Sequence, residues 1–100
     1  MEQPKRNAIG SNLRRLRMQK AISQERLAVE CARVGYDLSR ATLAKIEAGI
    51  RGISDVELFV VAHALKVGVA ELFPSDLLKK IRDGRVAPFH KRSGKERELD

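Results

Sequence analysis

The chain is short of most residue types that special chemistry needs. It has one cysteine, Cys31, in 100 residues. That excludes an intramolecular disulfide framework and fits a reducing cytoplasm. Its two histidines, His63 and His90, lie far apart, so a structural zinc site would need carboxylates or a second chain, and no metal is expected. The longest unbroken apolar run is Leu58 to Ala62, against roughly 20 residues for a membrane span; no membrane partner is expected. No secretory signal is expected either, because Lys5 and Arg6 lead into Asn-Ala-Ile-Gly-Ser-Asn and not into an apolar core. No nucleophile with its base, no phosphate-cradling glycine loop and no metal-ligand cluster is visible, so neither an enzyme nor a cofactor is implied.

What the chain does have is basic charge. Hydrophobic residues make up 43% and charged residues 33%, a globular composition. Lys and Arg number 20 against 13 Asp and Glu, a net charge of +7, which favours a polyanionic partner. The excess sits at the ends. Residues 1–20 carry +5, residues 21–73 carry −1 and residues 74–100 carry +3. A near-neutral, core-forming middle is flanked by basic segments. They read either as solvated surface or as a backbone-contacting arm and tail.

Apolar spacing predicts helices throughout. Ile9, Leu13 and Leu16 make one face of a helix from about Asn7 to Lys20. Ser23 reads as an N-cap for a second helix with Leu27, Ala28, Cys31, Ala32 and Val34 inward, ended by Gly35. After a short link, Ser39 caps a third helix over Arg40 to Ala48, with Leu43 and Ile46 inward. Ser54 and Glu57 have capping-box spacing and open a fourth helix, whose stripe is Leu58, Val61, Ala62 and Leu65 and which Gly68 stops. Phe59 and Val60 lie beside that stripe, as solvent-facing residues or a dimer surface. Val69 to Phe73 is a short fifth helix closed by Pro74. No strand pattern competes. The predicted fold is all-α: an arm over residues 1–6, a domain over 7–74, and a basic extension over 75–100. One more short helix is expected over Ser75 to Gly84, and a mobile tail from Arg85.

Two short helices joined by a tight, glycine-containing turn have helix-turn-helix geometry. The outward face of the third helix then carries Arg40, Ala41, Thr42, Ala44 and Lys45. A DNA major groove admits one helix and is read by long donors and small apolar contacts. Arg40 and Lys45 suit guanine O6 and N7, while Ala41 and the Thr42 methyl suit a thymine methyl. Gln24 and Ser39 stand at helix N-termini, where free N–H groups favour phosphate. Arg51, just past the helix, is placed for a neighbouring phosphate. Without the surrounding pattern these charges would read as ordinary solvated helix surface.

The run Leu13-Arg-Arg-Leu-Arg17, Ile22-Ser-Gln24, Leu27-Ala28, Ser39-Arg-Ala-Thr-Leu43, Lys45-Ile-Glu47 and Gly49 resembles the phage-repressor (Cro/cI-like, XRE-type) helix-turn-helix family. Asp55-x-Glu-Leu58, Ala62-x-Ala-Leu65 and Val69-Ala-Glu-Leu-Phe73 extend the likeness to Pro74. The resemblance implies a five-helix domain that binds duplex DNA, usually as a homodimer on inverted repeats. It implies base reading by Arg40, Ala41 and Lys45, phosphate contact by the Ser39 hydroxyl, a match of Gln24 to the family's glutamine at the first turn of the motif, and a structural ion pair between Arg17 and Glu47. Two departures stand out. The stretch Val29 to Leu38 is long, which reads as an extra turn on the second helix. Ala48 stands where the family often has a polar residue, so no phosphate contact is implied there.

The function expected is sequence-specific DNA binding by a cytoplasmic, nucleoid-associated transcriptional regulator, a repressor. The alternative is an antitoxin-like or adaptor role with another protein as main partner, docked through the extension from Ser75. A third reading, RNA binding through Gly49-Ile-Arg-Gly52, needs a KH-type three-stranded sheet that the sequence does not offer. Cys31, on an apolar face, reads as a packed thiol, and His63 as a core or surface residue and not a ligand.

Overall fold

A computed structural model describes residues 4–86. Four α-helices follow in order: α1 (Gly10–Gln19), α2 (Gln24–Arg33), α3 (Arg40–Ala48) and α4 (Asp55–Leu65). A single 3-10 turn (Val69–Leu72) and a short α5 (Leu77–Arg82) complete the chain. No strand forms among the described residues; one isolated bridge joins Lys5 to Val86. Arm residues 1–3 and the tail from 87 lie outside the described residues.

The helix starts are set by local chemistry. Ser23, Ser39 and Ser54 each accept the N–H three residues on, from Arg26, Thr42 and Glu57, so each satisfies one of the donors that a helix start leaves free. At α4 the box closes: the Glu57 carboxylate accepts the Ser54 N–H at 3.0 Å. The first helix starts later than Asn7, at Gly10 with Ile9 as its N-cap, because the Asn7 side chain holds the chain in a turn before it. Asn7 Oδ1 accepts from the N–H groups of Ile9 and Gly10, at 2.9 and 2.7 Å.

The core is one cluster. Leu13 of α1, Leu27 and Cys31 of α2, Leu43 and Ile46 of α3, Val61 and Leu65 of α4 and Leu72 of the 3-10 turn are fully buried. The second helix packs on both α3 and α4, α1 packs on α3, and the 3-10 turn closes against α4 and α1. Burial on the inner face of α2 and the charge of Glu30 push the Cys31 thiol up to about 11, so it is a packed, unreactive group at neutral pH.

Three expectations are corrected. The second helix ends at Arg33, with Ala32 and Val34 exposed. Its length is ten residues, and the rest of the long stretch forms a link, Val34 to Leu38, through left-handed Gly35. Leu38 anchors that link by burial in the core. Second, Val60 is buried while Phe59 is 63% exposed, because α4 is covered from two sides, by α2 and by the 3-10 turn. Third, Lys66 and not Gly68 takes the left-handed position that ends α4, at φ 61°. His63 is exposed and its ring stacks on Phe59.

The first and third helices meet at close range. A Cβ on Gly10 would collide with the Ile46 carbonyl oxygen and come within 2.9 Å of that of Glu47. Gly10→Ala should therefore destabilise the fold by about 1–3 kcal/mol, although alanine is the better helix former. Thermal melting checks this; an unchanged or raised midpoint would show that the two helices are not in contact there.

Candidate nucleic-acid interface

Leu43, Ile46 and Glu47 of α3 are buried, while Arg40, Ala41, Lys45 and Ala48 are exposed and Thr42 and Ala44 are partly so. The helix thus turns one apolar face inward and one basic, small-residue face outward. Neither Arg40 nor Lys45 has a carboxylate at ion-pair distance among the described residues. Ser39 Oγ accepts the Thr42 N–H at 3.1 Å and donates to Thr42 Oγ1 at 3.0 Å. The Thr42 hydroxyl proton is left to donate elsewhere. The first N–H groups of α2 and α3 keep the free donors and positive dipole ends that suit an anion.

One buried carboxylate holds this helix in place. Arg17 Nε donates to Glu47 Oε2 at 2.6 Å and Nη2 to Oε1 at 2.9 Å. The third arm of the guanidinium, Nη1, donates to the Ile22 carbonyl at 2.7 Å. The side chains of Arg17 and Glu47 are 10% and 3% exposed. The hydrogen bond to Glu47 raises the Arg17 pKa further above its ordinary value, against the burial that lowers it. Gln24 Nε2 also donates to Glu47 Oε1, at 3.1 Å. The side chain read as a phosphate contact is thus bonded inside the fold, and α1, the turn before α2, α2 and α3 share one node.

Arg51 is likewise engaged. Its two terminal nitrogens each donate to a Glu57 oxygen at 3.0 Å. The guanidinium expected at phosphate holds the α3–α4 turn against the start of α4, with its side chain still 38% exposed. Arg51 pulls the Glu57 carboxyl below the usual carboxylate range, against burial, and the Ser54 N–H adds to the lowering.

Asn7 is the residue that sequence reading passed over. Its Nδ2 donates to the carbonyls of Ile46 and Arg51, at 2.9 and 2.8 Å. It shapes the turn before α1 and ties the C-terminal end of α3 and the following turn to it. Nothing local signals this, because its acceptors lie 39 and 44 residues away. No described side-chain polar atom is buried without a partner. No three His, Cys, Asp or Glu side chains among the described residues converge as a metal site, and none of the described helices is long and apolar enough to cross a membrane.

The helix-turn-helix family model matches residues 13–72, from the first buried leucine of α1 to the last of the 3-10 turn. The chain belongs to the helix-turn-helix family. Membership makes it a DNA-binding regulator of transcription, with α2 and α3 as the motif. Among solved structures it is similar to the restriction-modification controller protein C.AhdI from Aeromonas hydrophila, at 37% identity and a TM-score of 0.59. The likeness covers 65% of this chain and 87% of that one. No curated protein sequence matches. The family match leaves out residues 4–12 and α5.

Two outcomes follow from the pairs. Arg17→Ala leaves Glu47 buried without its main partner and should cost about 3–5 kcal/mol; a melting temperature equal to wild type would mean that the pair is solvated. The depressed pKa of Glu57 stabilises the fold above its unfolded value of about 4.3, and that contribution is lost as pH falls through the lower folded value. In acid titrations followed by circular dichroism, Glu57→Gln should be less stable than wild type at pH 7, with the gap closing below about pH 4. A gap constant with pH would contradict the pairing.

Proposed function

We propose that the chain is a sequence-specific repressor that binds duplex DNA as a homodimer, with α3 in the major groove. Residues 7–74 act as the binding domain and residues 75–100 as an extension to it, in a cytoplasmic, nucleoid-associated protein. Arg40 and Lys45 read guanine edges, and Ala41 and the Thr42 methyl lie against thymine. The Ser39 cap, the α2 start at Gln24 and the turn at Arg51 face flanking phosphates. Gln24 and Arg51 also act from inside, holding α3 and its turn. The observation that carries the reading is the outward face of α3: two cations without carboxylate partners among the described residues, on a helix whose opposite face is buried. Likeness to a restriction-modification controller protein supports a regulatory role. The exposed Val56 and Phe59 on α4 offer an apolar patch for a second copy.

One observation favours a second reading, a protein partner on the extension. No residue of α5 is buried, and Leu78 and Ile81 are 73% and 46% exposed. An antitoxin-like or adaptor role would use that face.

Site selection from random duplexes, followed by base-by-base competition, tests the leading reading. Arg40→Ala or Lys45→Ala should relax preference at one position in each of two half-sites, removing about 1–3 kcal/mol of discrimination. The half-sites should lie one DNA turn apart, about 34–36 Å. Preference left intact by both substitutions would overturn the assignment of α3 as the reading helix.

A further inference from the structure

A second group of cations lies outside the family match, on the arm. The Arg6 backbone N–H donates to the Gly49 carbonyl at 2.8 Å, and the Lys5 backbone N–H to the Arg85 carbonyl at 2.8 Å. Lys5 Nζ lies 3.2 Å from the carbonyl of Ala48, the last residue of α3. Gly49 is left-handed at φ 78°, and a Cβ there would collide with the Lys5 stem. Glycine at this position therefore both ends α3 and makes room for the lysine. The arm is held on one side by the α3–α4 turn and on the other by Arg85 and Val86, which the sequence places in a mobile tail.

Lys5 and Arg6 are exposed, and among the described residues neither meets a carboxylate at ion-pair distance. Ala48, exposed at the end of α3, offers no polar group of its own. The Lys5 ammonium beside it adds a cation at the end of the helix that exposes Arg40 and Lys45. The negative end of the α3 dipole accounts for a lysine here. It does not account for Arg6, whose backbone is pinned while its side chain makes no hydrogen bond among the described residues.

We propose that Lys5 and Arg6 form a phosphate-binding surface at the C-terminal end of α3, held in place by the Arg85–Val86 segment. The partner is the sugar–phosphate backbone of the duplex whose groove α3 enters, so the proposal rests on the reading above. The contact is sequence-independent and prolongs the footprint past the helix-turn-helix. The N-terminal arm and the C-terminal extension then act together, each bringing the other to the DNA side.

Binding of the full chain to the selected duplex and to an unrelated one, between 50 and about 300 mM salt, tests this against the Lys5→Gln/Arg6→Gln variant. Each lost phosphate contact should make the slope of log affinity against log salt shallower by about 0.9. The change should appear on both duplexes, with base preference unchanged, and Lys5→Arg should keep the wild-type slope. A wild-type slope with a lowered melting temperature would overturn the proposal and leave Lys5 as a helix-end cap only. Altered preference on the selected duplex alone would overturn it too, as base reading. Failure of the wild-type chain to bind any duplex would sink the parent reading, an outcome distinct from a variant with unchanged slope.

Discussion

Burying the Glu47 carboxylate is the constraint from which the DNA-facing architecture follows. A charge taken out of water must be met by donors of fixed geometry, and removing one partner costs far more than the pair contributes in net stability. Here Arg17 supplies two of those donors and Gln24 a third. Arg17 can serve only if α1 ends where its guanidinium also reaches the Ile22 carbonyl. Gln24 can serve only if α2 starts at that point. The carboxylate thus selects one relation among three helices, which a greasy contact of similar size would specify less sharply. Its position beside Ile46, on the buried side of α3, leaves Arg40 and Lys45 facing outward.

The same C-terminal end of α3 is fixed by further means. Gly10 lets the start of α1 approach the carbonyls of Ile46 and Glu47, and Asn7 spans the gap between that start and the turn after α3. Arg51 and Glu57 then stiffen the turn. A reading helix held at its C-terminal end, and along its inner face by buried Leu43 and Ile46, keeps its side chains in register with base edges, and ordering that is present before binding does not have to be supplied on binding.

Much of this was legible in the sequence, and the reason is locality. The serine caps act over three residues and the apolar stripes over seven, so Ser23, Ser39, Ser54 and the cores of α1 to α4 could be read directly. The Arg17–Glu47 pair came from family resemblance, since nothing in spacing joins residues 30 apart. The parts that escaped depend on distant partners. Asn7 and Lys5 take their roles from groups brought near by the fold, and Arg51 takes its role from Glu57 across the α3–α4 turn, which apolar spacing does not signal. Val60 escaped because a stripe assumes one packing partner and α4 has two. Val34 escaped because the helix closes before the glycine that marks its end, leaving Val34 as an exposed C-cap on the link.

Methylation interference on a selected operator tests the central claim most directly, that a helix held by Glu47 enters the major groove with Arg40 and Lys45 outward. The account expects methyl groups on guanine N7, in the major groove, to block binding at a few positions in each half-site. Methyl groups on adenine N3, in the minor groove, should leave it intact at those positions. Interference confined to the minor groove, or none at either site, would contradict it.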